Sequence, residues 1–132
     1  MATLKVGIAD YEEMKDRTRQ IAAGEKKPAP GDPTVWFPST ESFARILSTG
    51  NRDLLRIIHE QAPESVEELA KITGRAQPNV SRTLKTMAGY GLIRMEKGRG
   101  LKLTPKLAYD RIELVLPLTA AKAPQKVKGG QQ

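Results

Sequence analysis

The sequence predicts a mainly α fold with a small β component, of the α+β class. Three observations carry this. Apolar residues recur at three- and four-residue spacings in five segments, as on the buried side of a helix. Strict alternation of apolar residues marks short strands near both ends, "TLKVGI" and "RIELVLPL". Between them, two short helical segments are joined by a glycine-containing turn and followed at once by a two-stranded hairpin pattern. That order is a helix-turn-helix with a wing, so the specific expectation is a winged helix-turn-helix with an extra N-terminal strand and helix and a C-terminal strand.

In residues 3–8, Leu4, Val6 and Ile8 share one face of a half-buried strand. Asp10 caps a helix that runs to about Ala23, with Glu12 and Glu13 in its first turn, where the helix dipole favours them. Met14 and Ile21, extended by Tyr11 and Thr18, make its expected apolar stripe, and Gly24 ends it. "EKKPAPGDPTVWFPS" follows. Its four prolines and one glycine argue against a regular element, so residues 25–38 read as a Pro-rich linker or extended arm. Trp36 and Phe37 near its end either anchor it to the core or stack on a ligand.

Ser39 begins the next helix, with Phe43, Ile46 and Leu47 as its apolar positions and Gly50 as its break. Asn51 is expected to cap a further helix whose buried side is Leu54, Leu55, Ile57 and Ile58, and Pro63 stops it. Ser65 and Glu68 have capping-box spacing ahead of Val66, Leu69, Ala70 and Ile72, and Gly74 supplies the positive φ of a helix C-terminus. Gln77 is then a cap and Pro78 the first helical residue of a helix to about Gly89. "YGLIRME" and "LKLTP" are the hairpin strands, and residues 97–100, "KGRG", are the wing. The expected organisation is therefore 1–24 as a strand–helix extension for dimerisation, 25–38 as the arm, 39–106 as the winged domain, 107–118 as a C-terminal strand, and 119–132 as a disordered basic tail. The strands at 3–8 and 111–117 need partners, either each other or a second chain.

Hydrophobic residues make up 39% and charged residues 28%, an ordinary globular balance. There is no apolar run of bilayer length, no secretion signal and no cysteine. A cytoplasmic protein without membrane association, disulfides or thiolate zinc sites is expected. The net charge of +7 is concentrated: residues 75–106 hold eight basic groups and one acid, whereas residues 1–74 hold ten basic and twelve acidic groups. Charge so localised within a folded segment points to a polyanion.

On the helix from residue 78, Val80, Leu84 and Met87 face inward. Gln77, Asn79, Ser81, Arg82, Lys85 and Thr86 are left outward, side-chain types that hydrogen-bond base edges and phosphates in a major groove. The wing adds Lys97 and Arg99, flanked by Arg94 and Lys102, for backbone or minor-groove contact. Gln77, Asn79, Ser81 and Arg82 are assigned most of the specificity. Arg75, Lys85, Arg94, Lys97, Arg99 and Lys102 are assigned mostly affinity.

No catalytic constellation is visible, and no cofactor or metal is expected. His59 is the lone histidine, on a helix, and no Gly-x-Ser-x-Gly or phosphate-loop motif occurs.

"SVEELAKITGRAQPNVSRTLKTMAGYGLIRMEKG" resembles the DNA-binding core of winged-helix regulators of the MarR and ArsR kind, with their "Q-P-x-V-S-R-x-L" helix and "G-L-I/V" strand. Over residues 17–117 the chain is similar to a family of small MarR-like DNA-binding regulators, some of which neighbour toxin genes as candidate antitoxins. The "PTVWF" arm, residues 33–37, is the more telling part. The resemblance implies double-stranded DNA as partner, a homodimer and a role as repressor. The alternative is an antitoxin-type module that neutralises a toxin or other protein partner and autoregulates its operon. MarR proteins usually have long terminal helices flanking a ligand cleft; this chain has terminal strands instead.

Overall fold

The computed structural model describes residues 2–24 and 31–119. The start of the Pro-rich arm (25–30) and all but the first residue of the expected tail (119–132) lie outside the described residues. The chain is a mixed α/β structure with five helices and five strands among the described residues. In order these are β1 (Thr3–Ile8), α1 (Tyr11–Ala22), β2 (Val35–Phe37), α2 (Thr40–Ile46), α3 (Thr49–Gln61), α4 (Val66–Thr73), α5 (Gln77–Gly89), β3 (Ile93–Lys97), β4 (Leu103–Leu107) and β5 (Arg111–Val115).

Strands β2, β1 and β5 form a parallel sheet with β1 in the centre, and β3 and β4 form a separate antiparallel pair. The two terminal strands thus pair with each other within one chain, Leu4 opposite Ile112 and Val6 opposite Leu114. With β2 on one edge and β5 on the other, β1 has no open edge to offer a second chain. Of the two expected alternatives for the terminal strands, pairing with each other is the one observed.

Register assigns the faces of the sheet, because opposed residues on neighbouring strands point the same way. Leu4, Val6, Val35, Phe37, Ile112 and Leu114 share one face, and it packs on the helices. Phe37 is fully buried, stacked on Tyr90 at 4.0 Å and edge-on to Phe43 at 5.3 Å. So the arm is not free of regular structure. Its last residues are a strand, tolerated because Pro33 and Pro38 fall just outside the paired segment.

The opposite face carries Gly7, Trp36 and Arg111, and Gly7 must lack a side chain. A Cβ there would lie 2.5 Å from the Trp36 ring. Helix α1 packs on this face through Arg17, which sits 5.0 Å from the Trp36 ring centroid and 3.4 Å from Asp32. Its expected stripe is displaced: Tyr11, Thr18 and Ile21 are exposed, and Glu13, Met14, Arg17 and Gln20 are the half-buried positions. An aromatic ring as docking surface selects the guanidinium over an aliphatic residue. The cap is as expected and completed by Glu13, since Asp10 and Glu13 bond each other's backbone N–H.

Helix boundaries differ from expectation at three places. Ser48, not Asn51, caps α3, so Gly50 lies in its first turn and breaks nothing. Asn51 instead donates to the Ile46 carbonyl at 3.1 Å. Ala76, not Gln77, is the cap of α5, which leaves Pro78 at the second helical position. Helix α4 keeps its predicted ends, with Ser65 accepting from the Glu68 N–H and Gly74 at φ 74°, but Ile72 is exposed. The Glu68 carboxylate reaches past Ser65 to the Glu64 N–H, so the reciprocal half of the capping box is shifted by one residue. The hairpin starts later than predicted. Tyr90 caps α5, and residues 98–102 form the turn, closed by the Gly98 N–H donating to the Lys102 carbonyl.

Leu4, Val6 and Phe37 from the sheet join Leu54, Ile58, Leu69, Val80, Leu84, Met87, Leu92 and Ile93 in one core. Phe37→Ala is expected to cost about 3–5 kcal/mol, since it removes a fully enclosed ring from two aromatic contacts. Urea unfolding followed by Trp36 emission measures this. A loss below ~1 kcal/mol would mean that β2 is not an integral part of the core.

Candidate nucleic-acid interface

Helix α5 is two-sided because its apolar residues follow the helical period. Val80, Leu84 and Met87 are at most 1% exposed. The row Asn79, Arg82, Thr86 and the neighbouring row Gln77, Ser81, Lys85 are both exposed, so all six predicted side chains of this helix lie on one solvent face. Within it the Arg82 guanidinium donates to the Asn79 amide oxygen at 2.6 Å, and the Thr86 hydroxyl donates to the Arg82 carbonyl at 3.2 Å. The first bond holds Arg82 and Asn79 as a pre-aligned pair, one presenting further N–H donors and the other its NH2 group.

Arg75 is not part of this face. Its guanidinium turns back to α3, donating to the Gly50 carbonyl at 2.7 Å and to the Asn51 amide oxygen at 3.4 Å. Gly50 admits it, since a Cβ there would lie 3.0 Å from Nη2. Arg75 thus ties the α4–α5 turn to the start of α3 and positions α5. A local reading of charge has no means of distinguishing such a cation from one aimed at a ligand.

In the hairpin, Lys97, Arg99 and Lys102 are exposed around the turn. Arg94 is also exposed, with partners on the hairpin itself. Its Nε contacts Glu96 at 2.6 Å and its Nη1 donates to the Leu107 carbonyl at 3.2 Å. Glu96, the sole acid of residues 75–106, is therefore matched locally. The hairpin is held by the Thr104 hydroxyl, which donates to the Glu64 carbonyl at 2.7 Å and docks β4 on the α3–α4 junction. Leu101 is fully exposed at the tip.

One residue was missed. A shallow cleft of about 200 Å³ between the α2–α3 junction and α5 is lined by Arg45, Asn51, Arg82 and Thr86. The exposed Arg45 therefore extends the cationic face of α5 from a helix far away in sequence. Its only local signal was being out of phase with Phe43 and Ile46. Among the described residues no cluster of His, Asp and Glu converges to hold a metal, and no helix is long and apolar enough to cross a membrane.

With this geometry in view, the family described as HVO_A0114 matches residues 46–114, and the chain belongs to that family. The match spans α3 to β5, including the α4–turn–α5 unit and the hairpin. No curated protein and no solved structure matches the chain.

Two substitutions separate positioning from presentation. Arg75→Ala is expected to destabilise the fold by roughly 1–2 kcal/mol, through lost charge-assisted bonds to Gly50 and Asn51. Arg82→Ala is expected to change stability by no more than about 0.5 kcal/mol, because its partners are exposed. Thermal unfolding of the two variants beside the parent protein tests both values.

Proposed function

We propose that the chain is a sequence-specific double-stranded DNA-binding regulator, a homodimeric repressor built on a winged helix-turn-helix. In this reading α4, the Gly74 turn and α5 are the helix-turn-helix, and β3–β4 is the wing. The observation that carries it is the single exposed face of α5: Gln77, Asn79, Ser81, Arg82, Lys85 and Thr86 side by side, with no acid among them, over a wholly apolar opposite side.

Such a helix fits the major groove. Asn and Gln pair with adenine and Arg with guanine, and the Asn79–Arg82 pair spans neighbouring base-edge positions. Lys85, and Arg45 from beside Arg82, would neutralise phosphates. Lys97, Arg99 and Lys102 would reach the backbone or minor groove from the wing, with Leu101 between them. Arg75 acts through the fold instead, given its bonds to Gly50 and Asn51, whereas the exposed Arg94 would reach the backbone from beside Glu96. One such unit covers few base pairs, so two copies on half-sites about 34 Å apart are the fitting assembly.

The antitoxin reading rested on an extended arm with exposed aromatics. Phe37 is buried and Trp36 lies between Gly7 and Arg17, so these two aromatics give that alternative no support of their own.

Binding to genomic fragments, including the chain's own upstream region, tests the proposal at several salt concentrations. A preferred fragment is expected. Arg82→Ala should lower its preference over competitor by about 1–3 kcal/mol. Arg99→Ala should weaken binding to all fragments alike and reduce the salt slope by about 1. Equal, weak binding to every fragment, unchanged by Arg82→Ala, would sink the reading.

A further inference from the structure

We infer that the outer edge of β5 is the surface through which two copies of this chain associate, by antiparallel β5–β5 pairing that joins their sheets into one. Among the described residues no strand lies on that side of β5, so a row of its backbone N–H and C=O groups is unpaired. The strand and the residues just after it also carry apolar surface that the chain itself does not cover: Leu114 and Val115 in β5 and Leu116 beyond it are 38–43% exposed, and Leu118 is 89% exposed. Leu114 points to the core-facing side of the sheet, yet remains accessible because the helices stop short of β5. They leave an apolar cleft of about 680 Å³ bounded by Phe43, Leu55, Tyr109, Ile112 and Leu114.

A second copy is the occupant that the charges favour. Residues 107–119 hold one arginine against two acids, so two copies of this segment do not repel each other as two copies of the basic residues 75–106 would. Strands related by a two-fold axis through Ile112 set Arg111 of each copy opposite Glu113 of the other, and Ile112 against itself. Both charge pairs are then formed on the same face. Arg111 and Glu113 are exposed and lean together at 3.7 Å, and the Arg111 Nε donates to the Thr3 hydroxyl on β1 at 2.9 Å, so the remaining guanidinium N–H groups are the ones that would meet Glu113 of the second copy. The opposite edge of the sheet is a poorer choice. Strand β2 has three residues and is bracketed by Pro33 and Pro38.

This inference rests on the homodimer part of the reading above and not on DNA. The experiment is sedimentation of the full chain without nucleic acid, over micromolar to sub-micromolar concentrations. A monomer–dimer equilibrium is expected. Glu113→Arg should raise its dissociation constant about tenfold or more by opposing like charges twice across the axis. The exchange Arg111→Glu with Glu113→Arg should restore it to within about threefold, since the pairs re-form with reversed sign. Loss of folding would instead lower the thermal midpoint of Glu113→Arg, and restoration by the exchange still reads the interface. A chain that is monomeric throughout, or a dimer indifferent to Glu113→Arg, overturns the inference. Monomers that still prefer one DNA fragment would fail this surface while leaving the DNA reading intact.

Discussion

The stack of Phe37 on Tyr90, closed by the edge of Phe43, is the contact on which the rest of the structure depends. With Leu4 and Val6 beside it, it joins two assemblies into one core. On one side is a parallel sheet whose central strand is first in the chain. On the other is a helical unit ending in a hairpin. Phe37 belongs to β2, Phe43 to α2, and Tyr90 to the cap of α5. The ring therefore fixes the sheet directly against the end of the helix that carries the candidate interface. Burial of an aromatic in a three-ring cluster is among the larger apolar contributions a domain of this size can draw on.

A second, polar constraint sets the other end of α5. Arg75 spans from the α4–α5 turn to Gly50 and Asn51, and Asn51 in turn satisfies the Ile46 carbonyl at the end of α2. One guanidinium thus coordinates three helix termini. The helix is held at its start by these hydrogen bonds and at its finish by aromatic stacking. Its outward side chains are then presented from an element anchored at both ends. The hairpin is attached independently, through Thr104 and Glu64.

Much of the candidate site was legible in the sequence. The inward triplet Val80, Leu84 and Met87 follows from helical period alone, and once it is placed the outward residues are determined. The caps at Asp10, Ser39 and Ser65 were legible for the same reason, since a cap and its helix are neighbours in the chain. Errors arose where two local signals competed. Gly50 and Asn51 looked like a break and a cap, but Ser48 won the cap, and the glycine serves the approach of a distant arginine. Prolines concealed β2, because they flank the paired residues rather than interrupt them. Arg75 was counted with the outward cations, because charge is readable in sequence and the partner of a charge is not.

The sequence by itself determined the helices, most of their ends, the hairpin and the composition of the α5 face. All of these depend on interactions within a few residues. Tertiary structure alone decided that β1 lies between β2 and β5, that Arg17 rather than an aliphatic stripe docks α1, and that Arg45 joins Arg82. Parallel pairing leaves no turn to announce it, and the residues it unites, such as Thr3 and Arg111, are 108 positions apart. Their adjacency depends on which apolar faces remain to be covered after each local element has formed, and that is a property of the packed chain.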